Sequence, residues 1–386
     1  MKMKSFASLP DLKDRRVFLR VDFNVPIENK KVTDDYKIVK TIRTIETLLG
    51  KGASLIIATH LGKPKGKIDS KLSTEPIAKY LAKLLDKKVK FVADVVGREV
   101  EKEAGKLRSG NIIFLENLRF KKGELENDSV FAKKLANLAD VYINDALAVS
   151  HRKQASVAAI QKYLPSYSGL LLERELQALG KVIKPRKPLV TIMGGAKIST
   201  KAPLIASLYK NSNYILLGGG LANSFLKYNK LEIGKSLCDD DSLKIVKKIM
   251  QGKNKSRKII LPIDVVVLDK EGRVRAKSIK KILKSDTIFD IGPETISLYS
   301  SYIKKAQTLI WNGPMGKFED ENFRAGTMAM AILVASRSSG RAYGVVGGGE
   351  TVAALRASRM IEYVDWVSTA GGAMLSYLSG EDMPGL

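Results

Sequence analysis

Asp22, Asn24, His60, Lys63, Arg119, Asn144, Asp145, His151 and Arg152 fall one after another just beyond segments that read as strands. Cationic and hydrogen-bonding groups gathered in this way bind anions, because guanidinium and ammonium groups combine charge with several N–H donors. Any one of them is ordinarily a solvated or salt-bridged loop residue. A set that recurs at successive strand ends means more, since ligands of open parallel sheets bind beyond the carboxyl ends of the strands. The set suits a small polyanion such as a phosphorylated carboxylic acid.

The second half of the chain carries a different chemistry at the same kind of position. Gly194-Gly195-Ala196-Lys197, Gly218-Gly219-Gly220, Asp290-Ile291-Gly292-Pro293-Glu294, Asn312-Gly313-Pro314-Met315-Gly316, Gly347-Gly348-Gly349-Glu350-Thr351 and Ala370-Gly371-Gly372-Ala373 follow its strand-like segments. Glycine lets backbone amides close on a phosphate, and a helix that starts there adds unpaired N–H groups and the positive end of its dipole. One such turn is usually tight packing; six in one half exceed what turn geometry asks for. Two familiar phosphate loops are excluded. Gly234-Lys235-Ser236 resembles the end of a Walker A loop, but Asn229 stands where its first glycine belongs and no strand leads into it. The dinucleotide fingerprint fails at Asn223 after Gly218 and Gly220, and at Val352 after Gly347 and Gly349. A nucleotide site here belongs to another class.

The elements that position these groups follow from the hydrophobic period. Arg16 to Val25 alternates, with Val17, Leu19, Val21 and Phe23 on one face and Phe18, Arg20, Asp22 and Asn24 on the other, so it reads as a strand ending in polar groups. Asp34 to Gly50 then spaces Ile38, Ile42, Ile45 and Leu48 as a helix. Strands at Ser54 to Thr59, Val89 to Val92, Asn111 to Leu115 and Val141 to Asn144 alternate with helices to about Ala139. A helix near Ser168 to Val182 leads into the proline-bounded Lys184-Pro185-Arg186-Lys187-Pro188, and the pattern restarts with strands at Leu189 to Met193, Tyr214 to Leu217, Lys258 to Leu261, Thr308 to Trp311 and Ala342 to Val346. Strands separated by helix-length segments imply parallel sheets with crossover helices. The expected fold is α/β, two Rossmann-like three-layer domains joined by a helical hinge: residues 1–168 with a returning tail at 376–386, a connector at 169–187, and a second domain at 188–375.

Length and composition agree with two domains. The chain has 386 residues, 45% hydrophobic and 27% charged, which excludes a disordered or collagenous chain. Glycines and polar residues interrupt its longest uncharged stretches, so no membrane span is expected, and the Met-Lys-Met-Lys-Ser-Phe start has no apolar core of a signal peptide. One cysteine, Cys238, and two histidines leave no structural zinc site. A cytoplasmic monomer is the expectation. The net charge of +26 raises the question of a nucleic-acid partner, yet the lysines are spread over helix faces (Lys79, Lys83, Lys87; Lys244, Lys247, Lys248) and both tryptophans, Trp311 and Trp366, sit in apolar contexts. No specific nucleic acid is expected; the excess charge solvates the surface and steers an anionic substrate.

With these residues laid out, the chain resembles the phosphoglycerate kinase family. The blocks that carry the likeness run through nearly the whole sequence: RVDFNVP (Arg20 to Pro26), HLGKPKG (His60 to Gly66), LENLRF (Leu115 to Phe120), INDALAVSHR (Ile143 to Arg152), GGAKIST (Gly194 to Thr200), LLGGGLANSFLK (Leu216 to Lys227), LPIDVV (Leu261 to Val266), DIGPET (Asp290 to Thr295), WNGPMGKFE (Trp311 to Glu319), GGGET (Gly347 to Thr351) and VSTAGGA (Val367 to Ala373). The resemblance implies reversible, magnesium-dependent phosphoryl transfer between 1,3-bisphosphoglycerate and ADP, with a hinge joining a phosphoglycerate domain to a nucleotide domain. It implies that Asp22, Asn24, His60, Arg119 and Arg152, with Lys37 and Lys63, hold 3-phosphoglycerate. It implies that Lys197, Lys201, Gly292, Glu319, Gly347 and Thr351 hold ADP or ATP, that the amides of Gly348 and Gly349 meet the transferring group, and that Glu350 positions Mg2+. Lys37 and Lys201 would offset charge on the group in transit. Four positions depart from the family pattern: Lys37 and Lys63 replace arginine, Glu350 replaces aspartate and Ala370 replaces glycine. Each charged departure keeps its charge, while lysine gives up the planar two-pronged donor of arginine. Two other readings remain open, a basic nucleic-acid-binding protein and a family member that binds without catalysing.

Overall fold

The computed structural model describes residues 3–196, 201–238, 240–251 and 255–386. The chain divides into two compact units, one running to Gln177 and taking in Asp382–Leu386, the other Ala178–Glu381.

The first unit is built on a six-stranded parallel sheet. Its strands are β1 (Arg16–Arg20), β2 (Ser54–Ala58), β3 (Val89–Val92), β4 (Ile112–Leu115), β5 (Val141–Asn144) and β6 (Ser166–Ser168), in the order β3-β4-β2-β1-β5-β6. The helices α1 (Tyr36–Gly50), α2 (Glu75–Leu85), α3 (Arg98–Gly105) and α4 (Ser129–Ala136) cover it. Strand β1 is central, so both of its faces are buried and its alternation sorts residues between two cores. Val17, Leu19, Val21 and Phe23 pack with Ile38 and Ile45 of α1 and Leu81 of α2. Phe18 packs with Val100 of α3 and Leu135 of α4. The strand ends at Arg20 rather than at Val25, because its parallel partners end at Ala58 and Asn144. Beyond that point the backbone is satisfied locally: Val21 N donates to Ala58 O at 3.0 Å and Phe23 N to Thr59 Oγ1 at 2.9 Å. The segment holding Asp22 and Asn24 is therefore a rim loop.

Helix α5 (Leu170–Ile183) contains the division between the units. The second unit repeats the parallel design with β7 (Leu189–Met193), β8 (Tyr214–Leu217), β9 (Ile259–Ile260), β13 (Thr308–Asn312), β14 (Tyr343–Gly347) and β15 (Trp366–Val367), ordered β9-β8-β7-β13-β14-β15. The chain steps outward from β7 through β8 and β9, then returns to the other side of β7 at β13. That reversal between β7 and β13 is where an open sheet leaves a crevice at its carboxyl edge. The helices are α6 (Ala202–Asn211), α7 (Gly219–Tyr228), α8 (Asp240–Met250), α9 (Pro293–Ile303), α10 (Ala325–Ser338), α11 (Gly349–Ala357) and α12 (Gly372–Ser379). Between β9 and β13 lies a separate antiparallel sheet, β11-β10-β12, from β10 (Asp264–Leu268), β11 (Val274–Ser278) and β12 (Thr287–Ile291). The Asp290-Ile291-Gly292 turn thus ends a strand of this small sheet, not of the parallel one.

Candidate active site

In the first unit the rim loops converge on Asp22. Its Oδ2 accepts from Lys37 Nζ at 2.6 Å, and Lys37 stands in the first turn of α1. Burial pushes the Asp22 carboxyl up, but Lys37, His60 and Arg20 outweigh it and hold the group at about 2. Asn24 Oδ1 accepts from Gly62 N at 2.9 Å, and Arg119 Nη1 donates to Gly62 O at 2.8 Å, so one glycine ties three strand ends together. Asn117 secures the same loop: its Nδ2 donates to Leu61 O and Leu72 O, and its Oδ1 accepts from Leu61 N and Arg119 N.

The guanidinium groups set the electrostatics. Burial, followed by repulsion from Arg152 and Arg20, brings Arg119 down to about 10, so it remains a cation at neutral pH. Its Nε and Nη2 are buried with no hydrogen-bond partner among the described residues, as is Nε of Arg152. Buried N–H donors left unmatched are costly in a finished structure, and an anion is what would satisfy them. Burial also holds His60 well below its ordinary value; Asp22 opposes this, while Arg20, Arg119 and Lys37 reinforce it. Lys63 stands exposed on the loop that follows.

In the second unit the β7 and β13 ends close on each other. Gly194 N donates to Asn312 O at 3.1 Å and Gly195 N to Pro314 O at 2.8 Å. Only glycine fits here: a Cβ on Gly194 would stand 1.9 Å from Pro314 O, and one on Gly313, whose φ is +95°, would stand 2.2 Å from Gly194 O. Lys201 projects into this junction, with Nζ 2.5 Å from Asn312 Oδ1 and 3.1 Å from Asn312 O. Asn312 is itself fixed by donating from Nδ2 to Gly347 O at 2.9 Å. Burial lowers the Lys201 ammonium to about 8, and the Glu350 carboxylate opposes that fall.

Beside the junction lies a cavity of about 440 Å³, walled by Gly195, Gly219, Phe289, Pro314, Glu319 and Glu350 among others. Glycine backbone at one part of the wall and an aromatic ring at another suit a ligand with a phosphate end and a flat apolar end. Gly348, with φ +98°, caps the start of α11. A Cβ on Gly349 would meet nothing within 4 Å, which leaves the approach to that helix N-terminus open. Thr351 Oγ1 accepts from Gly313 N at 2.7 Å, so its hydroxyl supports the β13 loop.

Of the residues singled out in the sequence, Asp22, Asn24, Lys37, His60 and Arg119 gather in the first unit and Arg152 interacts with Arg119. Lys201, Glu319, Gly347, Gly348, Gly349, Glu350 and Thr351 gather in the second. Gly292 lies against Asp264 in the small sheet and is not part of the cavity wall. Lys197 lies outside the described residues. Sequence reasoning missed Asn223, Lys235, Leu237 and Phe289, which also wall the cavity. Lys235 belongs to the Gly-Lys-Ser run excluded as a phosphate loop; it reaches the cavity because Gly234 bridges to Thr287 of β12.

Comparison with known proteins gives first the class: the chain is a two-domain α/β kinase. The structure of phosphoglycerate kinase from Coxiella burnetii aligns with a TM-score of 0.84 at 37% identity, over 100% of this chain and 98% of that one. The crystal structure of phosphoglycerate kinase from Pyrococcus horikoshii OT3 aligns with a TM-score of 0.85 at 29% identity, over 99% and 97%. A phosphoglycerate kinase of Dictyoglomus turgidum is 43% identical over 381 residues, 97% of this chain and 96% of that protein. Residues 7–381 match the sequence profile of phosphoglycerate kinase, and the chain belongs to that family. Its reaction is the family's, reversible phosphoryl transfer between 1,3-bisphosphoglycerate and ADP in glycolysis. Among the described residues no helix is long and apolar enough to cross a membrane.

Proposed function

We propose that the first unit binds the phosphoglycerate and the second the nucleotide, each through the residues described above. Arg119, Arg152 and His60 face the anionic substrate, with Asn24 and Asp22 holding the loops and the Lys37 ammonium in place. Lys63 adds an exposed charge at the entrance. On the second unit Lys201 and the glycine amides take the nucleotide phosphates, Glu319 the ribose, and the Phe289 wall the base. Lys197 and Gly292 enter this reading only through the family resemblance.

The chemistry asks the protein for alignment and charge neutralisation rather than for a covalent intermediate, since the phosphoryl group in transit carries its charge on three oxygens. Lys201 is desolvated and aimed before the reaction starts, and the amides of Gly348 and Gly349 at the start of α11 add fixed dipoles. Lys37 supplies the matching cation from the first unit. Mg2+ binds through one or two carboxylates together with the phosphates it accompanies. Glu350, exposed in the first turn of α11 and on the cavity wall, fits that requirement as a single carboxylate. When bound, Mg2+ would neutralise part of the charge on the nucleotide oxygens. We place the enzyme in the cytoplasm, where a chain with a single cysteine needs no disulfide framework, and keep the monomer as the expectation.

The observation that carries the reading is the buried Arg119 guanidinium, whose Nε and Nη2 have no partner among the described residues, beside the half-buried Arg152 with its buried, unmatched Nε. A coupled assay of ATP formation tests it. Arg119→Ala removes charge-assisted hydrogen bonds and should raise KM for the phosphoglycerate substrate by about tenfold or more. An unchanged KM would refute the assignment.

A further inference from the structure

Arg20 closes strand β1 and is fully buried, yet nothing in the phosphoglycerate reading uses it. Its donors are directed. Nε donates to Ser156 Oγ at 3.0 Å, Nη1 donates to Val21 O, and Nη2 faces His60 Nδ1 at 3.5 Å. Ser156 is in turn held by the buried Glu124, donating from N to Oε2 at 2.8 Å and from Oγ to Oε1 at 2.7 Å. A one-way relay results: Glu124 accepts from Ser156, Ser156 accepts from Arg20, and Arg20 points an Nη2 donor at His60. We propose that Arg20 is a positioning residue that fixes His60 as the neutral Nε2–H tautomer, so that His60 presents one uncharged donor to an acceptor oxygen of the phosphoglycerate.

The argument is one of donor and acceptor inventory. A guanidinium has no acceptor, so the nitrogen that faces it must offer a lone pair, and a neutral imidazole then carries its proton on the other nitrogen. The competing tautomer would place the proton on Nδ1 toward Asp22. Asp22 Oδ1 is 3.7 Å from Nδ1, beyond hydrogen-bond reach. That carboxylate is already engaged by Lys37 Nζ at Oδ2 and by Asn24 N at Oδ1. Among the groups facing the ring, Arg20, Arg119 and Lys37 oppose a second proton and only Asp22 favours one, while burial works against the charge throughout.

The chain has two histidines, so a nitrogen-15 correlation spectrum of the imidazole rings is sparse, and the His60→Gln spectrum assigns the signals. In the wild-type enzyme without substrate, His60 should show an unprotonated Nδ1 and a protonated Nε2, unchanged between about pH 6 and pH 8. A proton on Nδ1, or a doubly protonated ring at neutral pH, overturns the proposal. Arg20→Gln should let the proton move to Nδ1, raise the His60 pKa toward its ordinary value, and raise KM for 3-phosphoglycerate about tenfold with kcat within about twofold. A purely structural role for Arg20 would leave the tautomer as it was, and that result also overturns the proposal. Should the Arg20 variant fail to fold, Ser156→Ala, which removes the Nε anchor but keeps the cation, should move the tautomer in the same direction. The proposal rests on His60 meeting the phosphoglycerate, and the tautomer is read with no substrate present. An Nε2–H signal that 3-phosphoglycerate does not shift would sink the substrate contact and leave the role of Arg20 standing.

Discussion

Replacing Lys201 by alanine removes an ammonium that the fold has already desolvated and aimed. Nζ is held 2.5 Å from Asn312 Oδ1, and Asn312 is anchored to Gly347 O, so the cation sits where the β7, β13 and β14 ends meet. Its pKa of about 8 records the burial, and burial is what makes a charge act strongly on a developing phosphoryl charge. Loss of one preorganised donor of this kind costs roughly 3 kcal/mol, or about 100-fold or more in turnover. Steady-state rates with both substrates varied provide the assay, with a melting curve run alongside to separate the effect from unfolding. kcat should fall by about 100-fold or more while KM for 3-phosphoglycerate stays within about threefold, because the residues proposed for phosphoglycerate belong to the other unit. A loss of about tenfold or less would assign charge stabilisation elsewhere and refute the reasoning.

Lys201 also predicts a pH limb: kcat/KM for ADP reports the free enzyme and should decline above about pH 8 as the ammonium loses its proton, and Lys201→Arg should move that decline out of range. A profile that stays flat to about pH 10 in the wild type would contradict this. Lys37→Met should lower kcat with little change in either KM, since a cation working mainly on the transferring group contributes little to ground-state binding; a raised KM for phosphoglycerate with kcat intact would make Lys37 a substrate clamp. Asp290 accepts from Gly326 N and Ile291 N, but burial raises it to about 7 against an unfolded value of 3.8. Its folded pKa being the higher, its contribution to stability is complete below about 3.8 and is lost as the pH rises through about 7. Asp290→Asn should therefore gain in Tm over wild type at pH 8 relative to pH 5, and an equal gap at both pH values would show that another group titrates.

How much of this was legible in the sequence depended on the range of the interaction. The alternation in Arg16 to Arg20 gave β1 and the sorting of Phe18 from Val17 and Leu19, because a period of two is a local property. It also put Arg20 on the polar side with Asp22, but its links to Ser156 and His60 span 136 and 40 residues, and no local pattern announces them. The small antiparallel sheet was missed although Asp269 to Arg273 carries a turn signal: Gly272 takes φ +76° and Asp269 Oδ1 accepts from Glu271 N and Arg273 N. Overlooking that turn made the Asp290 segment look like another parallel strand end. The return of the tail was implied by resemblance alone. In the structure Asn144 Nδ2 donates to Gly385 O at 2.9 Å across 241 residues.

Calorimetric titration of the full-length wild type, Arg119→Ala and Lys201→Ala with 3-phosphoglycerate and with magnesium ADP tests the two-site account most directly. Arg119→Ala should bind 3-phosphoglycerate about tenfold or more weakly and ADP within about threefold of wild type, and Lys201→Ala should show the reverse. Either variant losing both ligands, or losing the one assigned to the other unit, would contradict the division of the chemistry between the cationic rim of the first sheet and the glycine-walled cavity of the second.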